Sequence, residues 1–300
     1  MADTPFVLRD ISGKGKGLFA TRPITRGERV LAEAPLITQR QPVSNATILL
    51  ALARLSDTDQ RRYFNLANAW VGLLAPPLGI FKTNALPCGD HDQSRGHTVD
   101  TAAIFPLGSR FNSSCEPNVN NYWNENLNQI TFWAVRDIAE GEELCICYGT
   151  PLAKRADRRA RLESSFRFVC NCVACAREGA ALKESDDRRV SISRLYDEIA
   201  TCGSNPAVGV RKVKSALKLL EAENLLGSHG ASFCYDAFQF CTSVADVRNS
   251  KAWVTKAWEG YCVERGPQSS DAVKMAAYMQ DPRAHPAFDL LPRKTLVGPD

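Results

Sequence analysis

Cys170, Cys172 and Cys175 place three thiols within six residues, in the order F-x-F-x-C-x-C-x-x-C led by Phe166 and Phe168. Spacing this short suits one tetrahedral Zn²⁺, because structural zinc takes four ligands and thiolates are among the commonest. Three thiols leave the fourth ligand to come from elsewhere in the chain. Disulfides are the poorer reading: eleven cysteines cannot all pair, and neighbours this crowded do not reach disulfide geometry. Cys88, Cys202, Cys234, Cys241 and Cys262 stand alone among apolar residues and read as buried reduced thiols. That usage points to the cytosol or nucleus.

Three further segments carry residue types that could bind or react, although each has a plain structural reading. Gly13-Lys-Gly-Lys-Gly-Leu-Phe-Ala20 has the glycines of a backbone that approaches a ligand, or of a tight turn. It is neither a dinucleotide fingerprint nor a P-loop, since the spacing is not G-x-G-x-x-G and no GK[ST] occurs. Arg110-Phe-Asn-Ser-Ser-Cys-Glu-Pro-Asn118 packs polar side chains between apolar runs and reads alone as a loop turned by Pro117. Gly141-Glu-Glu-Leu-Cys-Ile-Cys-Tyr-Gly149 feeds a turn into a strand ending on Tyr148, which by itself reads as a half-buried strand residue. Cys145 and Cys147 alternate on that strand, pointing to one face, and are candidates for the missing zinc ligand.

Taken in order, GKGKGLFA, RFNSSCEPN, GEELCICYG and the cysteine triplet resemble the SET-domain lysine methyltransferases, in the branch with a helical C-terminal region shared by SET-and-MYND-type enzymes and their fungal relatives. The resemblance covers about residues 6–176. It implies transfer of a methyl group from S-adenosylmethionine to a lysine of a protein or peptide substrate. Lys14, Lys16, Leu18, Asn84, Ser109, Asn112 and Ser113 would line the cofactor pocket, Phe168 would cover the adenine, and Tyr148 would sit at the reacting centre. Cys115 would complete the zinc site with Cys170, Cys172 and Cys175, tying the post-SET segment to the pocket, with Cys145 and Cys147 as rivals. A lysine amine has a pKa of about 10.4 and must lose a proton before it attacks, so the channel would be apolar. Tyr122 and Phe132, which could wall that channel, read first as core residues. The sequence departs from the family twice. Ser113 stands where the family has histidine after asparagine, and residues 36–100 hold only Cys88, His91 and His97, too few for the MYND zinc module. Ser113 motivates an alternative, a catalytically silent SET protein that serves as a partner-binding scaffold.

The elements that must position these residues read as an α+β protein. The resemblance implies small curved β-sheets with pseudoknot-like threading over residues 6–150, which brings RFNSSC and GEELCICY together. Strand-like runs punctuated by glycine and proline occupy 6–35 and 101–148. A helical insertion is predicted at about 44–68, with Ser56 and Asp59 as a capping pair, and the Pro/Gly-rich stretch from Ala75 to Asp100 reads as loop. The post-SET zinc segment spans 151–178; the five basic residues between Lys154 and Arg161 read as a solvated helix face. An α-helical region follows at 185–300, with helices near 187–200, 208–225, 230–247 and 250–264. A formal charge of +4 without a basic, aromatic-laced stripe argues against nucleic-acid binding. No secretory leader and no run of eighteen apolar residues is seen, so no membrane role is expected.

Overall fold

The computed structural model describes residues 4–89 and 99–300. It divides into two compact units, one of residues Met1–Ser114, Asn118–Thr150 and Arg158–Cys170, the other of Cys115–Pro117, Pro151–Asp157 and Asn171–Asp300. The first carries the strands: β1 (Phe6–Ile11), β2 (Gly15–Ala20), β3 (Arg29–Glu33), β4 (Ile37–Arg40), β5 (Leu86–Pro87), β6 (Thr101–Ile104), β7 (Asn112–Ser113), β8 (Val119–Asn124), β9 (Gln129–Ala134) and β10 (Glu143–Ile146). They form three small sheets in the orders β1-β2-β10-β7, β3-β9-β8 and β4-β6-β5.

In the first sheet β1 and β2 make an antiparallel hairpin, Phe6 opposite Ala20 and Ile11 opposite Gly15. Gly13 and Gly15 turn it at φ 75° and 78°, where a side chain costs about 1 kcal/mol or more. β10 pairs antiparallel with β2 and parallel with β7, setting Cys145 opposite Asn112 and Ile146 opposite Ser113. Two segments distant in sequence therefore lie side by side, because a parallel pair needs no tight turn between its strands. Leu18, Phe111, Phe132 and Leu144 fill the core beneath, each fully buried. Phe111 stacks on Phe132 with ring centroids 4.3 Å apart, so Phe132 is a core residue.

The insertion forms α1 (Asn45–Leu52) and α2 (Asp57–Phe64). Ser56 caps α2 as its sequence suggests: its hydroxyl accepts from the Asp59 amide at 3.2 Å and donates to the Asp59 carboxylate at 3.0 Å. The loop expected from Ala75 to Asp100 is corrected, since Pro76–Asn84 is a helix, α3, and β5 lies within the stretch, paired antiparallel with β6 just beyond it. Pro76 and Pro77 sit in the first turn, where proline needs no amide partner. Ile80 and Phe81 then bury against Ile48 and Leu52 of α1. His91 and His97 lie outside the described residues. A second correction concerns the basic helix, α4 (Arg155–Phe166). Its face is not simply solvated: Arg158 is buried and the Arg159 guanidinium donates to the Cys170 carbonyl at 2.8 Å.

The second unit is helical, with α5 (Val173–Ala176), α6 (Gly179–Ala200), α7 (Pro206–Ala222), α8 (Leu226–Ser243), α9 (Val247–Arg265) and α10 (Ser270–Gln280). Val210, Val213, Ala216 and Leu220 form the buried stripe of α7 at helical spacing. Gly209 lets α7 approach α8, since a Cβ there would lie 2.3 Å from the Phe240 ring. Trp253 on α9 is fully buried and donates its indole N–H to the Val297 carbonyl at 3.0 Å. Among the described residues no helix is long and apolar enough to cross a membrane.

Candidate active site and thiol cluster

Tyr148 lies just past β10. Its phenol donates to the Phe111 carbonyl, and its amide donates to the Ser113 hydroxyl at 3.3 Å. The ring packs against Phe166 at 4.9 Å and edge-on to Phe168 at 6.5 Å between centroids. Burial pushes the phenol well above its ordinary range, and negative charge at Cys145 and Glu143 adds to the push. The group is therefore a neutral phenol at physiological pH. With its proton committed to Phe111, the oxygen keeps its lone pairs as acceptors.

The other sequence-predicted residues fall into two hydrogen-bonded groups. Asn112 donates to the Lys16 carbonyl at 3.3 Å and to the Glu143 carboxylate at 2.7 Å. Lys14 reaches the same carboxylate at 3.5 Å, while Lys16 pairs with Asp10 at 3.1 Å; both are solvent-accessible pairs of small energetic worth. Gly17 is required beneath them, because a Cβ would meet the Asn112 amide nitrogen at 2.7 Å. In the second group Ser109 donates its hydroxyl to the Asn84 carbonyl at 2.9 Å. The Asn84 amide donates to the Ala67 and Ile80 carbonyls at 2.6 and 2.7 Å, so its donors are already used. Leu18 is wholly inside the core and offers a site its main chain rather than its side chain.

Sequence reasoning gave no role to three residues that shape this region. Asn118, only 2 % exposed, accepts from the Cys145 amide at 2.7 Å and donates to the Glu143 carbonyl at 2.8 Å, clamping β10. Glu143 joins Asn112 to Lys14. Glu33 accepts from the Leu107 and Gly108 amides at 3.1 and 2.8 Å, holding the turn before Ser109. The available signal for Asn118 was its place at the end of the polar RFNSSCEPN run; Glu33 gives none, since its partners are distant in sequence.

The sulfurs of Cys115, Cys170, Cys172 and Cys175 all lie within 4.8 Å of one another. Cys115 and Cys175 sulfurs are 3.7 Å apart, close to the separation of about 3.8 Å that a tetrahedral site with Zn–S bonds near 2.3 Å requires. A disulfide is excluded at that distance. The Cys115 amide donates to the Cys172 sulfur at 3.3 Å, the contact that favours a thiolate. Cys145 and Cys147 are outside this group; the Cys147 thiol donates to the Gly149 carbonyl at 3.4 Å. The donor set fits zinc.

Residues 15–149 match the SET domain family. Over 284 residues the chain is 30 % identical to histone-lysine N-methyltransferase set5 of Schizosaccharomyces pombe, an alignment covering 94 % of this chain and 86 % of that protein. It is 41 % identical over 116 residues to histone-lysine N-methyltransferase SET5 of Yarrowia lipolytica, covering 39 % of this chain and 23 % of the relative. Human histone-lysine N-methyltransferase SMYD3 is 39 % identical over 72 residues, covering 24 % and 16 % of the two chains.

Proposed function

We propose that this chain, which belongs to the SET-domain family of protein lysine methyltransferases, uses S-adenosylmethionine to methylate lysine side chains of a protein substrate, histone or non-histone. The cofactor when bound would supply an electrophilic sulfonium methyl group. The residues present suit it. Lys14 or Lys16 offers an ammonium for its carboxylate, and the partly exposed rings of Phe166 and Phe168 offer π faces to a cation and to a purine.

The observation that carries the reading is the fixed phenol of Tyr148. Because its proton is held by the Phe111 carbonyl, the oxygen is an acceptor for an N–H of the incoming lysine, orienting the amine lone pair. Raised far above neutrality, the phenol does not serve as the base; the ammonium proton leaves to water before attack. Aromatic neighbours exclude water from the amine and favour its neutral form. Ser113 takes the Tyr148 amide at 3.3 Å, so the missing imidazole leaves that donor paired. The thiol cluster would hold one Zn²⁺ and order the segment bearing Phe168, two residues before Cys170. The crowded cysteine spacing, which suits a metal better than disulfides, fits work in the cytosol or nucleus.

Tyr148→Phe tests the role directly. Turnover with radiolabelled cofactor and lysine-bearing protein is expected to fall about 100-fold or more, while cofactor affinity by calorimetry stays within a few-fold. Unchanged turnover overturns the assignment. Cofactor binding by the unsubstituted chain with no transfer to any protein establishes instead the silent scaffold that Ser113 suggests.

A further inference from the structure

The helical unit buries a cluster of charges with no part in the proposed reaction. Glu223, at the C-terminal end of α7, has a side chain with no solvent exposure. Its carboxylate accepts from Ser185 at 2.7 Å, from Arg188 and Arg189 at 2.7 Å each, and from Arg177 at 3.0 Å. Arg189, on α6, is equally buried. Its guanidinium also donates to the Cys115 carbonyl at 3.0 Å and the Pro151 carbonyl at 2.6 Å, and Arg177 pairs with Glu116. A buried guanidinium is tolerated only where carboxylates and carbonyls surround it. Here two of those acceptors belong to short segments far away in sequence.

We propose that Arg189, oriented by Glu223, is a positioning residue for the metal site, fixing the main chain of Cys115 so that its thiol completes the zinc ligand set. This rests on the reading that the four thiols hold zinc. Cys170, Cys172 and Cys175 come from one segment and find each other locally. Cys115 does not, and its placement is settled by Arg189 on its own carbonyl and by Arg177 on the next side chain. The cluster is charge-matched within itself: Arg177, Arg188 and Arg189 face Glu116, Glu223 and, at the more exposed rim, Glu184, so Arg189 stays in place whether or not the metal is bound. Outer-shell partners of metal ligands typically change affinity about 10- to 100-fold.

The test is a competition for zinc between a chromophoric chelator and the full chain, for wild type, Arg189→Lys, Glu223→Gln and Trp253→Phe. Lysine cannot make the three directed bonds of Arg189. Zinc affinity is expected to fall about 10- to 100-fold in the Arg189 and Glu223 variants and to stay at the wild-type value in Trp253→Phe, which loosens the same helical unit elsewhere. Zinc should also raise the melting temperature less in those two variants than in wild type. Should Arg189→Lys fail to fold, Glu116→Gln replaces it with the same expectation. Wild-type zinc affinity in the folded variants, or an equal loss in Trp253→Phe, overturns the inference alone. A wild-type chain that takes up no zinc overturns the metal reading and the inference with it.

Discussion

Cys175 and Cys241 are both completely buried, yet they belong to different chemistries. Cys175 shares a 4.8 Å neighbourhood with three other sulfurs, and a main-chain amide donates into that group. Cys241 packs alone in the helical core, where burial, with the Asp246 charge adding, pushes its thiol up to about 12. Burial likewise pushes Cys234 up to about 12. Burial therefore does not distinguish a ligand from a core residue. What distinguishes them is whether other thiols and hydrogen-bond donors converge on the sulfur, because a thiolate in apolar surroundings alone is far too costly.

Zinc removal should separate the two kinds most sharply. Structural zinc contributes on the order of 10 kcal/mol to such segments, so a strong chelator is expected to unfold residues 170–176 and lower the melting temperature by more than roughly 10 °C. The check is a circular-dichroism melt before and after metal removal, and no change would end the contrast. Cys172→Ser should behave as the chelated protein does, and Cys241→Ala should keep full zinc stoichiometry.

Glu223→Gln comes next, at about 3–5 kcal/mol for breaking a buried ion pair, read by denaturant unfolding of the zinc-saturated chain. Burial alone would raise the Glu223 pKa, but Ser185, Arg188 and Arg189 outweigh it and hold the group below its ordinary 4.5. The stability it contributes is complete above 4.5 and is lost as pH falls through the lower folded value. The glutamine variant should accordingly lose less stability than wild type when acidified through that range; parallel acid profiles would contradict the assignment.

A smaller effect is expected in the core. Cys241→Ser places a hydroxyl where a thiol was content, costing about 1–3 kcal/mol if it finds no partner, whereas Cys241→Ala costs about 1 kcal/mol. Neither should alter zinc binding, and alkylating reagents at pH 8 should leave the native Cys241 unmodified. The smallest effect belongs to Ser113→His. Regaining an imidazole is worth about 0.5–1.5 kcal/mol, or roughly a factor of two to ten in cofactor affinity, so calorimetry should find equal or tighter binding and unchanged zinc content. Weaker binding would mean that the Ser113 hydroxyl, through the Tyr148 amide, matters more than the ring it replaces.

Much of this protein is written locally. The cysteine triplet, the capped helix after Ser56 and the amphipathic stripe of α7 each depend on residues within a few positions, where spacing alone fixes which groups meet. The family resemblance adds the order of the motifs and, through Tyr148, the expected chemistry. α3 escaped because its prolines look like loop until Ile80 and Phe81 are seen to have a buried partner surface in α1.

Tertiary structure decided the rest. Cys115, rather than Cys145 or Cys147, meets the triplet. The amide of Asn84 is spent on Ala67 and Ile80, Asn118 clamps β10, and Glu223 gathers three arginines. Apart from the Asn84–Ile80 bond within α3, these are pairings between positions far apart in sequence. A chain read one residue at a time carries no distance information at such separations; buried donors, charges and thiols are satisfied by whichever partner the folded core brings within reach.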